Sequence, residues 1–115
     1  MPCIAPSVLE EFSTKIFIGA GLDPNEALVV SHSLVLANLM GHDSHGVVRV
    51  GSYLEYLEAG KVFAGRSIQV VREADASAVV DGQWGFGQTV CHQAMALAME
   101  KAKTRSVGVV ELFNS

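Results

Sequence analysis

Residues 41–60 read GHDSHGVVRVGSYLEYLEAG, and they set the layout of the first half of the chain. From 47 onward, Val47, Val50, Leu54 and Leu57 recur at helical spacing, and Gly60 stands where a glycine would close the helix. Gly41 stands in the same relation to the apolar run before it. Between these two helices lies a polar knot at 41–46, followed by Arg49. A connection needs only turn formers, so two histidines, an aspartate, a serine and an arginine around two glycines are more chemistry than it requires.

Upstream, LDPNEA carries a helix start: Asp23 as N-cap, Pro24 at the first helical position and Glu26 at the third, where it can complete a reciprocal capping box. The second helix is therefore expected over 24–40, buried on most sides because it is densely apolar. His32 would then be a hydrogen-bonded core or interface residue. The first helix spans 6–20, with Leu9, Phe12, Ile16 and Ala20 on one face and Gly21 as its cap.

Downstream, SIQVVRE (67–73) and SAVVDG (77–82) read as two strands joined by a turn-like EADA. GQWGFGQ (82–88) is a glycine-rich connector. A last helix from Thr89 to Lys103 places Cys91, Ala94, Met95, Ala98 and Ala102 on one side, with Met95 and Met99 as core filler and His92 exposed. Lys101, Lys103 and Arg105 collect at its end, where positive charge offsets the helix dipole. VGVVELF (107–113) is the final strand. The order of three helices, two strands, a helix and a strand is an α+β pattern. It divides into a helical domain at 1–65 and the beginning of a second domain at 66–115. A βαβ half-unit normally continues, so the abrupt end suggests a piece of a larger fold.

The composition suits a folded domain: half of the 115 residues are apolar and 17% are charged. A net charge of −4 with scattered Lys and Arg argues against nucleic acid. Cys3 and Cys91 are lone thiols, which favours a reducing cytoplasm. No signal-peptide pattern opens the chain, and ALVVSHSLVLANLM is too short and too interrupted to span a membrane.

The knot's chemistry fits one substrate class. If the third helix begins near Ser44, then His45 and Arg49, four apart, share a face. An arginine fork binds a carboxylate through two parallel charge-assisted bonds. A histidine titrates near neutrality and can exchange a proton with the oxygen on the next carbon. Together they suit a 2-oxo or 2-hydroxy acid. Asp43 or Ser44 would cap the helix, and Gly46 would let substrate approach the backbone. The plainer alternative is ordinary capping followed by a surface arginine. A metal site on His42 and His45 with Asp43 between is disfavoured, because helical zinc ligands stand at i, i+4 and need a third partner. The connector GQWGFG reverses the dinucleotide spacing and has no acidic residue at the required distance, so it reads as a structural turn, with Trp84 and Phe86 covering a core edge.

GHDSHGVVRVGSYLEYLEAGKV resembles the N-terminal signature of the malate/L-lactate dehydrogenase family. These are NAD(P)-dependent 2-hydroxyacid and imino-acid oxidoreductases of a non-Rossmann fold, including ureidoglycolate, sulfolactate and diketogulonate enzymes. The resemblance continues through VVDGQWGFGQTVCHQAMALAMEKAKTRSVGVVEL. It implies that His45 is the acid/base residue, protonating the substrate carbonyl as hydride arrives from NAD or NADP. It implies that Arg49 contacts the substrate carboxylate, with Ser44 and Tyr53 also lining the site. It further implies a homodimer, and a cofactor domain that begins in the second half and is incomplete here. Gly51 stands where many relatives have proline, and Tyr56 where an arginine is common. The alternative to a dehydrogenase is a truncated, non-catalytic helical module that works by association.

Overall fold

Asp23 starts its helix as its position predicts: the carboxylate accepts from the backbone N–H groups of Asn25 and Glu26 at 2.8 and 3.1 Å. The computed structural model describes residues 2–115. Among them are helices α1 (Pro6–Gly19), α2 (Pro24–Leu39), α3 (Arg49–Glu58) and α4 (Gly87–Arg105), and strands β1 (Gln69–Glu73), β2 (Ser77–Asp81) and β3 (Val109–Phe113). This is the expected α+β order. The chain divides into two compact units, Met1–Gly65 and Arg66–Ser115.

In the first unit, α1 packs against α2. Its core holds Phe17, Leu22, Ala27, Val30, Leu34 and Val35. The buried face of α1 is centred on Ser13 and Phe17, while Phe12 is 63% exposed, so the expected face through Phe12 and Ala20 is rotated. The apolar contrast around α1 is weak, and contact with α2 selects the face. Gly21, Gly41 and Gly60 follow α1, α2 and α3 with φ of +111°, +84° and +69°, a region glycine enters without steric cost. Glu26 does not complete a capping box: its Oε1 accepts from the Gly65 N–H at 2.8 Å, anchoring the unit's last residue to α2. Burial of α2 is one-sided, with Leu28, Leu36 and Leu39 exposed. His32 is not a core residue either; its ring is 63% exposed and its Nδ1 lies 3.0 Å from Glu10 Oε2 on α1.

In the second unit, β1 and β2 form an antiparallel hairpin closed by the Ala74 N–H to Ser77 carbonyl bond, with an irregularity between Val70 and Arg72. After α4, β3 lies parallel to β2, Ser77 opposite Val109 and Asp81 opposite Phe113. Ala78 and Val80 from β2 and Ala94 from α4 make the core, flanked by Ile68, Leu97, Val110 and Leu112. The buried face of α4 therefore runs through Val90, Ala94 and Leu97, whereas Cys91, Met95 and Met99 are exposed. The middle of this helix, AMALAM at 94–99, is apolar on every side, so spacing alone does not choose its face. Lys101 serves a different end from dipole compensation: its side chain, only 10% exposed, bonds Glu73 Oε1 at 2.7 Å and the Ala74 carbonyl at 2.9 Å. Arg105 pairs with Asp75 on the same hairpin turn.

The connector before α4 is a tight turn. Gln83 and Trp84 both have positive φ, and the Gly85 N–H closes onto the Gly82 carbonyl at 2.9 Å. Asp81 Oδ1 accepts from the Gln83 N–H, and the Asn114 carbonyl accepts from the Trp84 N–H. Phe86 is buried as expected, but Trp84 is half exposed.

Candidate active site

The polar knot is built by departing from the helix expected there. Residues Asp43–His45 form one 3₁₀ turn, and α3 begins only at Arg49, after Gly46, Val47 and Val48. His45 and Arg49 therefore do not lie on one helical face. Neither Asp43 nor Ser44 caps α3, which has no side-chain cap. What joins the pair instead is Ser44. Its carbonyl accepts from Arg49 Nε at 2.8 Å, and its hydroxyl lies 3.0 Å from His45 Nδ1.

This arrangement ties both side chains to one residue. Holding Arg49 by Nε leaves its two terminal NH₂ groups for a carboxylate fork, and among the described residues Arg49 pairs with no acidic side chain. With Nδ1–H donating to the Ser44 hydroxyl oxygen, Nε2 is the working nitrogen: the imidazolium can pass its Nε2 proton to an acceptor oxygen, leaving the neutral ring protonated on Nδ1. The imidazole is exposed to solvent and hence to an incoming small molecule. Tyr53 stands one turn beyond Arg49. Its ring packs on Phe17, with centroids 6.4 Å apart, and ties α3 to α1.

Asn38, near the end of α2, is the residue that pattern reasoning overlooked. Its Nδ2 donates to Asp43 Oδ1 at 2.8 Å, and its Oδ1 accepts from the Val47 N–H at 2.9 Å. The only visible signal was a polar side chain interrupting an apolar helix next to the knot. Gly46 also takes a role other than the expected one. It is buried, and a Cβ there would overlap the Asn38 carboxamide, so the close approach it permits is to Asn38 and not to substrate. His42 stacks edge-on to His45 with ring centroids 6.5 Å apart. Among the described residues no three His, Cys, Asp or Glu side chains converge as metal ligands. A hollow of about 320 Å³ lies elsewhere, on the sheet of the second unit, lined by Arg72, Glu73, Ser77, Val79 and Glu111 among others.

The malate/L-lactate dehydrogenase family model matches residues 4–115. The chain belongs to that family. The dehydrogenase relatives include hydroxycarboxylate dehydrogenase B of Escherichia coli K12, 38% identical over 107 residues, covering 93% of this chain and 30% of the relative. Among solved structures, malate dehydrogenase from Pyrococcus horikoshii OT3 matches with a TM-score of 0.93 and 35% identity, over 97% of this chain and 32% of that one. Sulfolactate dehydrogenase from Methanocaldococcus jannaschii matches with a TM-score of 0.90 and 34% identity, over 95% and 32%. The chain thus spans about a third of the length of the dehydrogenases it matches. Gly51 sits in the first turn of α3, and Tyr56 takes Lys61 Nζ over its ring at 5.9 Å.

Proposed function

We propose that this chain is the N-terminal, substrate-facing part of an NAD- or NADP-dependent oxidoreductase that interconverts a small 2-oxo acid and its 2-hydroxy acid. The observation that carries the proposal is the shared anchoring of His45 and Arg49 by Ser44. A carboxylate taken by the Arg49 fork sets the adjacent carbonyl carbon one bond away, and His45 Nε2 is the group to supply the proton its oxygen needs on reduction. Delivering that proton from a positioned acid avoids a free alkoxide. Tyr53 is proposed as a flank of the same site. The relatives' names, as malate, sulfolactate and hydroxycarboxylate dehydrogenases, support an acid substrate with oxygen on the second carbon.

The glycine-rich turn of this chain does not fit a dinucleotide pyrophosphate. A Cβ at Gly82 would meet the Asn114 carbonyl at 2.8 Å, and one at Gly85 the Arg66 Cβ at 2.8 Å, so both glycines serve chain packing. No residue here is assigned to the cofactor. Residues 1–65 are proposed as the domain that presents the acid/base group, and 66–115 as the start of the cofactor domain. A homodimer is proposed from the exposed Phe12, Leu39 and Met40, and a cytoplasmic setting from the free thiols of Cys3 and Cys91. No helix among the described residues is long and apolar enough to cross a membrane.

The test is NADH and NADPH oxidation over a panel of 2-oxo acids by the full-length enzyme that carries this segment, with His45→Ala as comparison. The proposal expects turnover of at least one acid and a loss of about 10²- to 10⁴-fold in the variant, the usual worth of a general acid. Equal turnover by a folded His45→Ala protein would remove His45 from the chemistry. No turnover of any acid would favour a non-catalytic module.

A further inference from the structure

We infer that Asn38 is a positioning residue for the His45–Arg49 pair, acting as a two-ended clamp on the turn that carries them. The inference rests on the reading of that site given under Proposed function. Left to itself the 41–47 segment is weakly held. Its internal bonds are those of one 3₁₀ turn, the His45 N–H to the His42 carbonyl at 2.9 Å and the Gly46 N–H to the Asp43 carbonyl at 3.1 Å, and short 3₁₀ runs have poor hydrogen-bond geometry. Asn38 grips the segment on both sides of Ser44 and His45. The carboxamide NH₂ holds Asp43 and the carboxamide oxygen holds the Val47 amide.

The chemistry of the clamp is specific. One end faces a carboxylate and needs a donor, while the other faces an N–H and needs an acceptor. A carboxamide supplies both on one planar group. An aspartate at 38 would keep the acceptor and set a second carboxylate against Asp43. Gly46 completes the device, because only a residue without Cβ lets the backbone lie against the carboxamide. Since Ser44 orients both His45 and Arg49, and the clamp fixes the residues on either side of it, Asn38 acts through Ser44 on the geometry of both groups. The donor and acceptor roles at 38 and 43 are exchangeable: in N38D/D43N the carboxamide sits at 43 and donates back to the carboxylate at 38, which still accepts from Val47.

The experiment records long-range ¹H–¹⁵N spectra of the histidine rings in the ¹⁵N-labelled chain for wild type, Asn38→Ala, Asn38→Asp and N38D/D43N. His32 and His92 are internal references, since His32 is held by Glu10 and His92 lies in the other unit. Amide signals of α1 and α2 report folding. Wild type is expected to show His45 in one tautomer, and both single variants to move it to the free-imidazole pattern with the reference rings unmoved. N38D/D43N is expected to restore the wild-type pattern, which a loss of general stability would not produce. Oxamate, an unreactive 2-oxo acid mimic, is titrated into the same samples, and the single variants should bind it about tenfold or more weakly, because misplacing binding groups is costly. Unchanged His45 signals in folded Asn38→Asp, or a double variant that behaves like Asn38→Asp, would overturn the inference. Failure of wild type to bind oxamate would count against the substrate reading, while the ring signals would still decide the role of Asn38.

Discussion

Gly46→Ala tests the architecture of the turn without touching a reactive group. Gly46 has ordinary negative φ (−93°), so alanine costs little in backbone conformation. The cost is steric: the new Cβ overlaps the oxygen, carbon and nitrogen of the Asn38 carboxamide. That carboxamide is the far end of a side chain, so it swings away and the backbone does not deform. What is lost is the pair of hydrogen bonds to Asp43 and Val47. At about 1 kcal/mol net for each, the first unit should lose about 2 kcal/mol. Gly51→Ala is the matched control. Gly51 lies in the first turn of α3, a Cβ there meets nothing within 4 Å, and alanine should gain about 0.5–1 kcal/mol. Urea titrations followed through the amide signals of α1 and α2 read the first unit by itself. A Gly46→Ala protein within about 0.5 kcal/mol of wild type, less than one such bond is worth, would refute the contact between Gly46 and Asn38 and the clamp built on it.

Two other substitutions probe the scaffold. Gly108→Ala sets a Cβ onto the Ala98 carbonyl on α4, and neither partner is a flexible side chain. The cost should exceed about 3 kcal/mol, at the upper end for overpacking, and hydrogen exchange at β3 should accelerate by more than about a hundredfold as the strand leaves β2. Protection of β3 equal to wild type would contradict that packing. Asp23→Ala removes an N-cap that accepts two backbone bonds and should cost about 1 kcal/mol in urea unfolding of the first unit, with Asp23→Asn costing only a fraction of that.

How much of this was legible in the sequence depended on the range of the forces involved. Local rules served well. The Asp23 cap, the glycines that end three helices and the apolar runs of the three strands were readable because each signal acts within a few residues. Choices made by tertiary contact were not. Spacing could not tell which side of α4 is buried, since Val90 and Cys91 are both apolar and only contact with the sheet separates them. His32 sits in an apolar run, yet faces Glu10, 22 positions away. The knot was recognised by its residue types and by its resemblance to a family, but its helical geometry was misjudged. The 3₁₀ turn depends on Asn38, whose partners lie five and nine positions along the chain, and a helix beginning near Ser44 satisfied every local rule. The chemistry assigned to His45 and Arg49 therefore rests on a different support from the one expected, with Ser44 taking the place of a shared helical face.

The most direct test of the central claim is an oxamate titration of the chain, watched at the Arg49 Nε and His45 ring signals, in wild type and in Arg49→Lys. The account predicts saturable shifts of both groups in wild type. It also predicts binding weaker by about tenfold or more in Arg49→Lys, because an ammonium cannot reproduce the planar fork. Absence of saturable shifts in the folded wild-type chain, or equal affinity in Arg49→Lys, would contradict the assignment of this turn as the site for a 2-oxo acid.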